Sequence, residues 1–208
     1  MNHAERRFLP YTIQKRHNGR YLLVLGLARS GTSFLASLLG GHPDINMLSE
    51  CFDAGFTRLI GKQYAGNKLC IHQIRYDAFS PVPLRVVKTG SKNRAVCRML
   101  IQDYLSLDAK IIIILRNTED VINSMVNRTA CSYDWAETVV NSNIKELNKV
   151  IDGKCHVVGY SSLCENKVNE LKEICKYLGL EYSDRMLLGE NKNWVYPERN
   201  CYDRKNNE

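Results

Sequence analysis

Residues 21–41, YLLVLGLARSGTSFLASLLGG, constrain the fold of this chain more than any other stretch. From Tyr21 to Gly26 the run is apolar without polar alternation, the pattern of a strand buried on both faces. Gly26 and Gly31 then bracket a short turn. Beyond it Phe34, Leu35, Leu38 and Leu39 share one helical face, and Gly40-Gly41 offers a C-cap. A strand covered on both faces needs helices above and below it, so this segment reads as the first half of a right-handed crossover. The same alternation continues downstream. Strands are expected over residues 84–88, 110–115 and 155–159, and helices over 91–105, from Thr118 to about 127, and about 133–151. A last helix carries the apolar stripe Val168, Leu171, Ile174, Cys175 and Leu178, with Ser162 and Glu165 in capping-box spacing before it and Gly179 at its end. The expected architecture is a three-layer α/β fold of the phosphate-loop NTPase kind, with a central, mostly parallel sheet. Residues 61–83 and the stretch from Gly189 have no such pattern and read as irregular.

The turn itself carries chemistry. Gly26, Gly31, Thr32 and Ser33 fall where the pattern G-x-x-x-x-G-K-[ST] places its glycines and its final pair, with Thr32 in the place of the lysine. Backbone N–H groups at a helix start, together with the helix dipole, favour an anion there. Arg29, Ser30, Thr32 and Ser33 add a guanidinium and three hydroxyls. Phosphoryl transfer from ATP uses that lysine and magnesium to meet the charge of the γ-phosphate. A sulfuryl group carries less charge and makes a smaller demand for metal, so a loop with arginine and hydroxyls suits a 5′-phosphosulfate better than a triphosphate.

The stretch GLARSGTSFLASLL resembles the 5′-phosphosulfate-binding loop of sulfotransferases that use 3′-phosphoadenosine 5′-phosphosulfate (PAPS), whose usual form is P-R-S-G-T-[ST]; Ala28 replaces the proline. A second resemblance lies in KIIIILRNTEDVINSM, where Arg116 ends a strand and Ser124 follows eight residues later, the spacing with which the family holds a 3′-phosphate. Ligands of open α/β sheets bind at such strand ends. A third is HVVGYSSLCENKVNELKEICKYLGL, similar to the family's late strand and Y-E-D-L…FLGL helix, with Tyr160 at the tyrosine position and Ser161 in place of the acid. The resemblance implies cofactor-binding roles for Arg29, Ser30, Gly31, Thr32, Ser33, Arg116, Ser124 and Tyr160. It also implies sulfuryl transfer from PAPS to a carbohydrate, tyrosine or small-molecule hydroxyl, with release of 3′,5′-ADP and no metal.

For the proton, the resemblance to tyrosylprotein and some carbohydrate sulfotransferases points to Glu50, which follows Arg29 by twenty-one residues after the turn His42-Pro43-Asp44. His42 and His72 are the alternative bases, His42 being better suited to shaping the turn. Lys88 closes the expected strand in LRVVKTG, where the family often has K-D-P; with Arg29 it is expected to stabilise charge on the leaving oxygen. The competing readings are a phosphate-loop nucleotide or small-molecule kinase and a nucleotide-binding module without catalysis. The kinase reading lacks the loop lysine and a magnesium-binding acid at motif spacing.

Composition bounds the rest. A chain of 208 residues, 44% hydrophobic and 25% charged, suits one domain, expected over 21–188 with a basic arm over 1–20 and a tail over 189–208. A net charge of +7 favours anionic partners. With clustering only at the termini, nucleic acid is not expected. The eight cysteines form no C-x-x-C pair or zinc spacing. Several fall at expected core positions, Cys97 and Cys175 on helices and Cys155 on a strand, and read as free thiols in a reducing, cytoplasmic setting. The basic start lacks the apolar core of a secretory leader, and no apolar run reaches membrane-span length. The glycosylation sequon Asn127-Arg128-Thr129 is then without meaning. Oligomeric state is not legible.

Overall fold

The computed structural model describes residues 20–50, 61–74, 88–89, 92–93, 100–151 and 154–191. Its centre is a five-stranded, fully parallel sheet in the order β2-β3-β1-β6-β7. The strands are β1 (Arg20–Gly26), β2 (Ile45–Ser49), β3 (Tyr64–Cys70), β6 (Lys110–Leu115) and β7 (His156–Gly159). A separate antiparallel pair joins β4 (Lys88–Thr89) to β5 (Lys92–Asn93). The helices are α1 (Thr32–Gly40), α2 (Ile101–Ser106), α3 (Thr118–Thr129), α4 (Tyr133–Asn148), α5 (Tyr160–Glu165) and α6 (Lys167–Leu178). Among the described residues no helix is long and apolar enough to cross a membrane.

Strand alternation splits the core in two. Leu23, Leu25, Ile111 and Ile113 face one way and pack with Ile101 and Tyr104 of α2, Val121 and Ile122 of α3, and Val140 of α4. Leu22, Val24, Ile112 and Ile114 face the other way and meet Leu35, Leu38 and Leu39 of α1 and Leu171, Ile174 and Leu178 of α6. This is the three-layer arrangement that apolar strands without alternation require. The helix ends follow local chemistry. The Asn117 side chain accepts hydrogen bonds from the N–H groups of Glu119 and Asp120 at the start of α3. Gly179, with φ of 68°, closes α6 in the left-handed conformation that only glycine adopts without strain.

Several expectations need correction. The place beside β1 belongs to β3, in the stretch read as irregular, and β2 was not anticipated. All of YAGNKLC is buried, and its polar members are accommodated by partners: Asn67 donates to the Tyr104 hydroxyl at 2.9 Å, and Lys68 meets Glu50. Hydropathy alone misses a strand of this kind. Lys88 therefore does not end a central strand; it pairs with Asn93 in the small antiparallel ladder, and residues 84–87 lie outside the described residues. The helix expected over 91–105 is found only as α2; Lys92 and Asn93 form strand β5 instead, and Val96, Cys97 and Met99 lie outside the described residues. Ser162 does not cap a helix with Glu165. It lies within α5, which starts after Gly159, and its hydroxyl donates to the Glu170 carboxylate. Val168 is exposed rather than part of the buried stripe, and Cys164 is an exposed thiol, whereas Cys70 and Cys175 are buried. After α6 a 3-10 segment, Asp184–Asn191, packs on α1 so closely that a Cβ at Gly189 would lie 2.0 Å from the Ser37 carbonyl oxygen.

Candidate active site

The turn between β1 and α1 is built for close approach. A Cβ at Gly26 would lie 2.7 Å from the Ile114 carbonyl oxygen, and Gly31 combines a φ of 99° with a Cβ position 2.4 Å from the Tyr160 ring. Neither site tolerates a side chain. Arg29 is itself left-handed, with φ of 72°, a conformation uncommon for a residue with a Cβ and typical of functional turns. The Ser30 hydroxyl is buried and donates to the Leu27 carbonyl at 2.8 Å, so it serves the turn first. Thr32 is buried against the Cys70 thiol, 3.8 Å away, and Ser33 is exposed at the helix start.

From this turn the Arg29 side chain reaches α3 and donates through Nε to the Ser124 hydroxyl at 3.0 Å. Arg116, at the end of β6, donates to the Arg29 carbonyl oxygen at 3.3 Å. Its Nε lies 3.6 Å from the Asp120 carboxylate, and its guanidinium sits over the Tyr160 ring at 4.6 Å. Around these groups opens a cavity of about 300 Å³, lined by Arg29, Arg116 and Arg128 with Ser124, Asn123, Asn127 and Asp120. Such a volume is at the small end for ligand sites, and the lining is cationic and polar. Arg128 was not anticipated. Its position four residues after Ser124 places it on the same helix face, which was a readable signal. Asn127 of the sequon also lines this cavity.

On the other side of the turn stands a second constellation. Glu50 follows β2 with φ of 59°, its N–H donates to the Lys68 carbonyl at 2.8 Å, and its carboxylate accepts from Lys68 Nζ at 2.9 Å. Lys68 is buried, while the Glu50 side chain is less than half exposed. Partial burial alone would raise the Glu50 carboxyl, but the Lys68 hydrogen bond and charge outweigh it. With help from Gln73 and His72 they hold it below the ordinary carboxylate value. His72 is pushed below the usual histidine range by the protein around its ring and by Lys68, against the pull of Glu50. Both nitrogens of His42 are engaged: Nε2 is 2.8 Å from the Glu181 carbonyl oxygen, and Nδ1 accepts from the Asp44 N–H at 3.0 Å. His42 is therefore a turn residue.

The structure thus brings Arg29, Gly31, Arg116, Ser124 and Tyr160 together, and sets Glu50 on the strand edge beyond Thr32 and Cys70. The Lys88 side chain is outside the described residues. Lys68 was missed, because a lysine among small and apolar neighbours in YAGNKLC gives no motif signal.

Comparison with known proteins points to sulfotransferases. A model of the sulfotransferase family matches residues 107–184, which span β6, α3 and β7 with Arg116, Ser124 and Tyr160. A candidate protein-tyrosine sulfotransferase of Caenorhabditis briggsae is 26% identical over 196 residues, covering 80% of this chain and 68% of the relative. The chain is similar to sulfotransferases over these residues. Its fold agrees with that of the sulfotransferase domain of the Synechococcus PCC 7002 olefin synthase (TM-score 0.58, 14% identity, 89% of this chain and 83% of that one). It agrees likewise with mouse sulfotransferase SULT7A1 in complex with PAP (TM-score 0.55, 16% identity, 88% and 67%). The sulfotransferase domain of the curacin biosynthetic pathway gives a TM-score of 0.53 at 13% identity, over 84% of this chain and 78% of that one. The turn after β1 and the cationic cavity thus stand on a scaffold that these sulfotransferase structures share.

Proposed function

We propose that this chain is a sulfotransferase that takes its sulfuryl group from PAPS and passes it to an acceptor hydroxyl, releasing 3′,5′-ADP. One observation carries the reading: two anion-favouring sites lie side by side, the turn at Gly26–Ser33 and the cavity of Arg29, Arg116, Arg128 and Ser124. A nucleotide phosphorylated at both 5′ and 3′ positions needs two such sites, whereas a triphosphate needs one extended cradle. The fit extends to the glycines, since the turn leaves no room for a Cβ where a phosphate must meet backbone N–H groups. The complex of the mouse neighbour with PAP supports the same nucleotide class.

In this reading the loop N–H groups, Thr32 and Ser33 hold the 5′ end, and Arg116, Ser124 and Arg128 hold the 3′-phosphate. The acceptor oxygen bonds to sulfur as the sulfur–oxygen bond to the 5′-phosphate breaks, and the electron pair leaves on that phosphate oxygen. Glu50 accepts the acceptor's proton. Its lowered pKa makes it ionised but weakly basic, so the proton moves late, after the new bond has begun to form. Arg29, together with Lys88, stabilises the developing negative charge, while Lys68 holds Glu50 in place. The acceptor is a hydroxyl of carbohydrate, tyrosine or small-molecule type; the Caenorhabditis briggsae relative favours tyrosine.

Single-turnover transfer of ³⁵S from labelled PAPS to a panel of phenols, tyrosine peptides and sugars tests the reading. Glu50→Gln keeps shape but cannot accept the proton, so binding of 3′,5′-ADP should persist while the transfer rate falls about 10²–10⁴-fold. Unchanged transfer by Glu50→Gln beside a dead His72→Ala would move the base to His72. Phosphorylation of the same panel from ATP would favour the kinase reading.

A further inference from the structure

Strand pairing places Arg116 and Tyr160 side by side. The ladder between β6 and β7 ends with Leu115 opposite Gly159, and the two residues stand one step beyond it. The guanidinium of Arg116 lies over the Tyr160 ring, 4.6 Å from its centroid. On its other flanks the ring reaches Gly31 of the phosphate turn and meets Phe34 edge-on at 6.5 Å. Arg116 is thus held by a ring face, by the Arg29 carbonyl at 3.3 Å and by the exposed Asp120 carboxylate at 3.6 Å from Nε. Asp120 alone would draw the guanidinium toward solvent and compete with an anion for it. A ring face restrains an arginine without consuming its N–H donors, which stay available for phosphate oxygens.

We propose that Tyr160 is a positioning residue: its ring holds Arg116 aimed into the second cavity, and so sets the preference for nucleotides that carry a 3′-phosphate. This rests on the reading of that cavity as the 3′-phosphate site. Tyr160 acts through Arg116 rather than by touching the phosphate, and its contact with Gly31 ties that aim to the formed turn.

The experiment is calorimetric titration of 3′,5′-ADP and 5′-AMP into the wild-type chain, Tyr160→Phe, Tyr160→His, Tyr160→Leu, Arg116→Ala and the double variant Arg116→Ala/Tyr160→Leu. Tyr160→Phe keeps the ring face and should bind 3′,5′-ADP within about 2-fold of wild type. Tyr160→Leu should weaken it about 5- to 20-fold, the scale of a partly desolvated cation–π contact, with 5′-AMP nearly unchanged. Tyr160→His, a smaller change if Tyr160→Leu fails to fold, should fall between them. In the Arg116→Ala background the added Tyr160→Leu should cost less than about 2-fold. Equal losses for both nucleotides, or a full Tyr160→Leu effect without Arg116, would overturn the proposal while leaving the cavity's assignment intact. A wild-type chain that does not distinguish 3′,5′-ADP from 5′-AMP would instead overturn the assignment itself, and the proposal with it.

Discussion

At the scale of single residues, the pair Glu50–Lys68 decides how the proposed chemistry depends on pH. Lys68 is bonded to Glu50 through both backbone and side chain, and it is the main reason the carboxyl titrates below its ordinary value. A carboxylate with a depressed folded-state pKa stabilises the fold above its unfolded pKa, near 4.3, and that contribution is lost as pH falls through the folded value. The acid limb of kcat/KM, which reports the base in the free enzyme, should therefore lie below about pH 4.3. Lys68→Met removes the opposing charge and leaves partial burial to act alone, so the limb should move above that value. A limb that stays in place in Lys68→Met would mean that another group titrates. The burial of Lys68 has the same lesson for reading sequences: Glu50 was legible through its distance from Arg29, but its partner was not, since burial of a lysine is decided by the fold around it.

At the scale of elements, what the sequence made legible depended on how local the signal was. β1, the turn, α1, β6 and α3 are each specified by their own residues: apolar runs, glycines and a capping asparagine. Arg116, Ser124 and the turn residues were accordingly readable together. β3 was not, because Asn67 and Lys68 are polar in isolation and become buried only with Tyr104 and Glu50 beside them. The edge strand β2 is short and half-buried and follows a His-Pro-Asp turn whose geometry depends on the distant Glu181 carbonyl. The phosphate turn offers the direct test at this scale. Gly31→Ala puts a methyl group into the Tyr160 ring at a left-handed φ, a change worth about 1 kcal/mol or more in backbone strain alone. We expect the variant to keep the far-ultraviolet circular dichroism of the wild type but to bind 3′,5′-ADP at least tenfold more weakly. Wild-type affinity would show that the turn does not hold the nucleotide.

At the scale of the molecule, the parallel sheet sets the two proposed anion sites where they are. β1 and β6 are neighbours in the ladder, so the turn after one and Arg116 after the other emerge together at the carboxyl edge of the sheet. β3 lies on the opposite flank of β1 and brings Lys68 to the same edge, and β2 beyond it brings Glu50. In the proposed function the turn thus lies between a nucleotide side and an acceptor side, with Arg29 reaching from it to Ser124. The likeness to sulfotransferases supports sulfotransfer, and the central proposal beyond it is that the donor is a 3′-phosphorylated adenosine nucleotide. The most direct measurement is thermal melting of the chain against equal concentrations of 3′,5′-ADP, 5′-AMP and ATP with magnesium. A ligand at a hundred times its Kd adds about 2.7 kcal/mol of stability, or roughly 5–10 °C in Tm for a domain of this size. 3′,5′-ADP should raise Tm most, with 5′-AMP far behind. A larger rise with magnesium and ATP than with 3′,5′-ADP would contradict it.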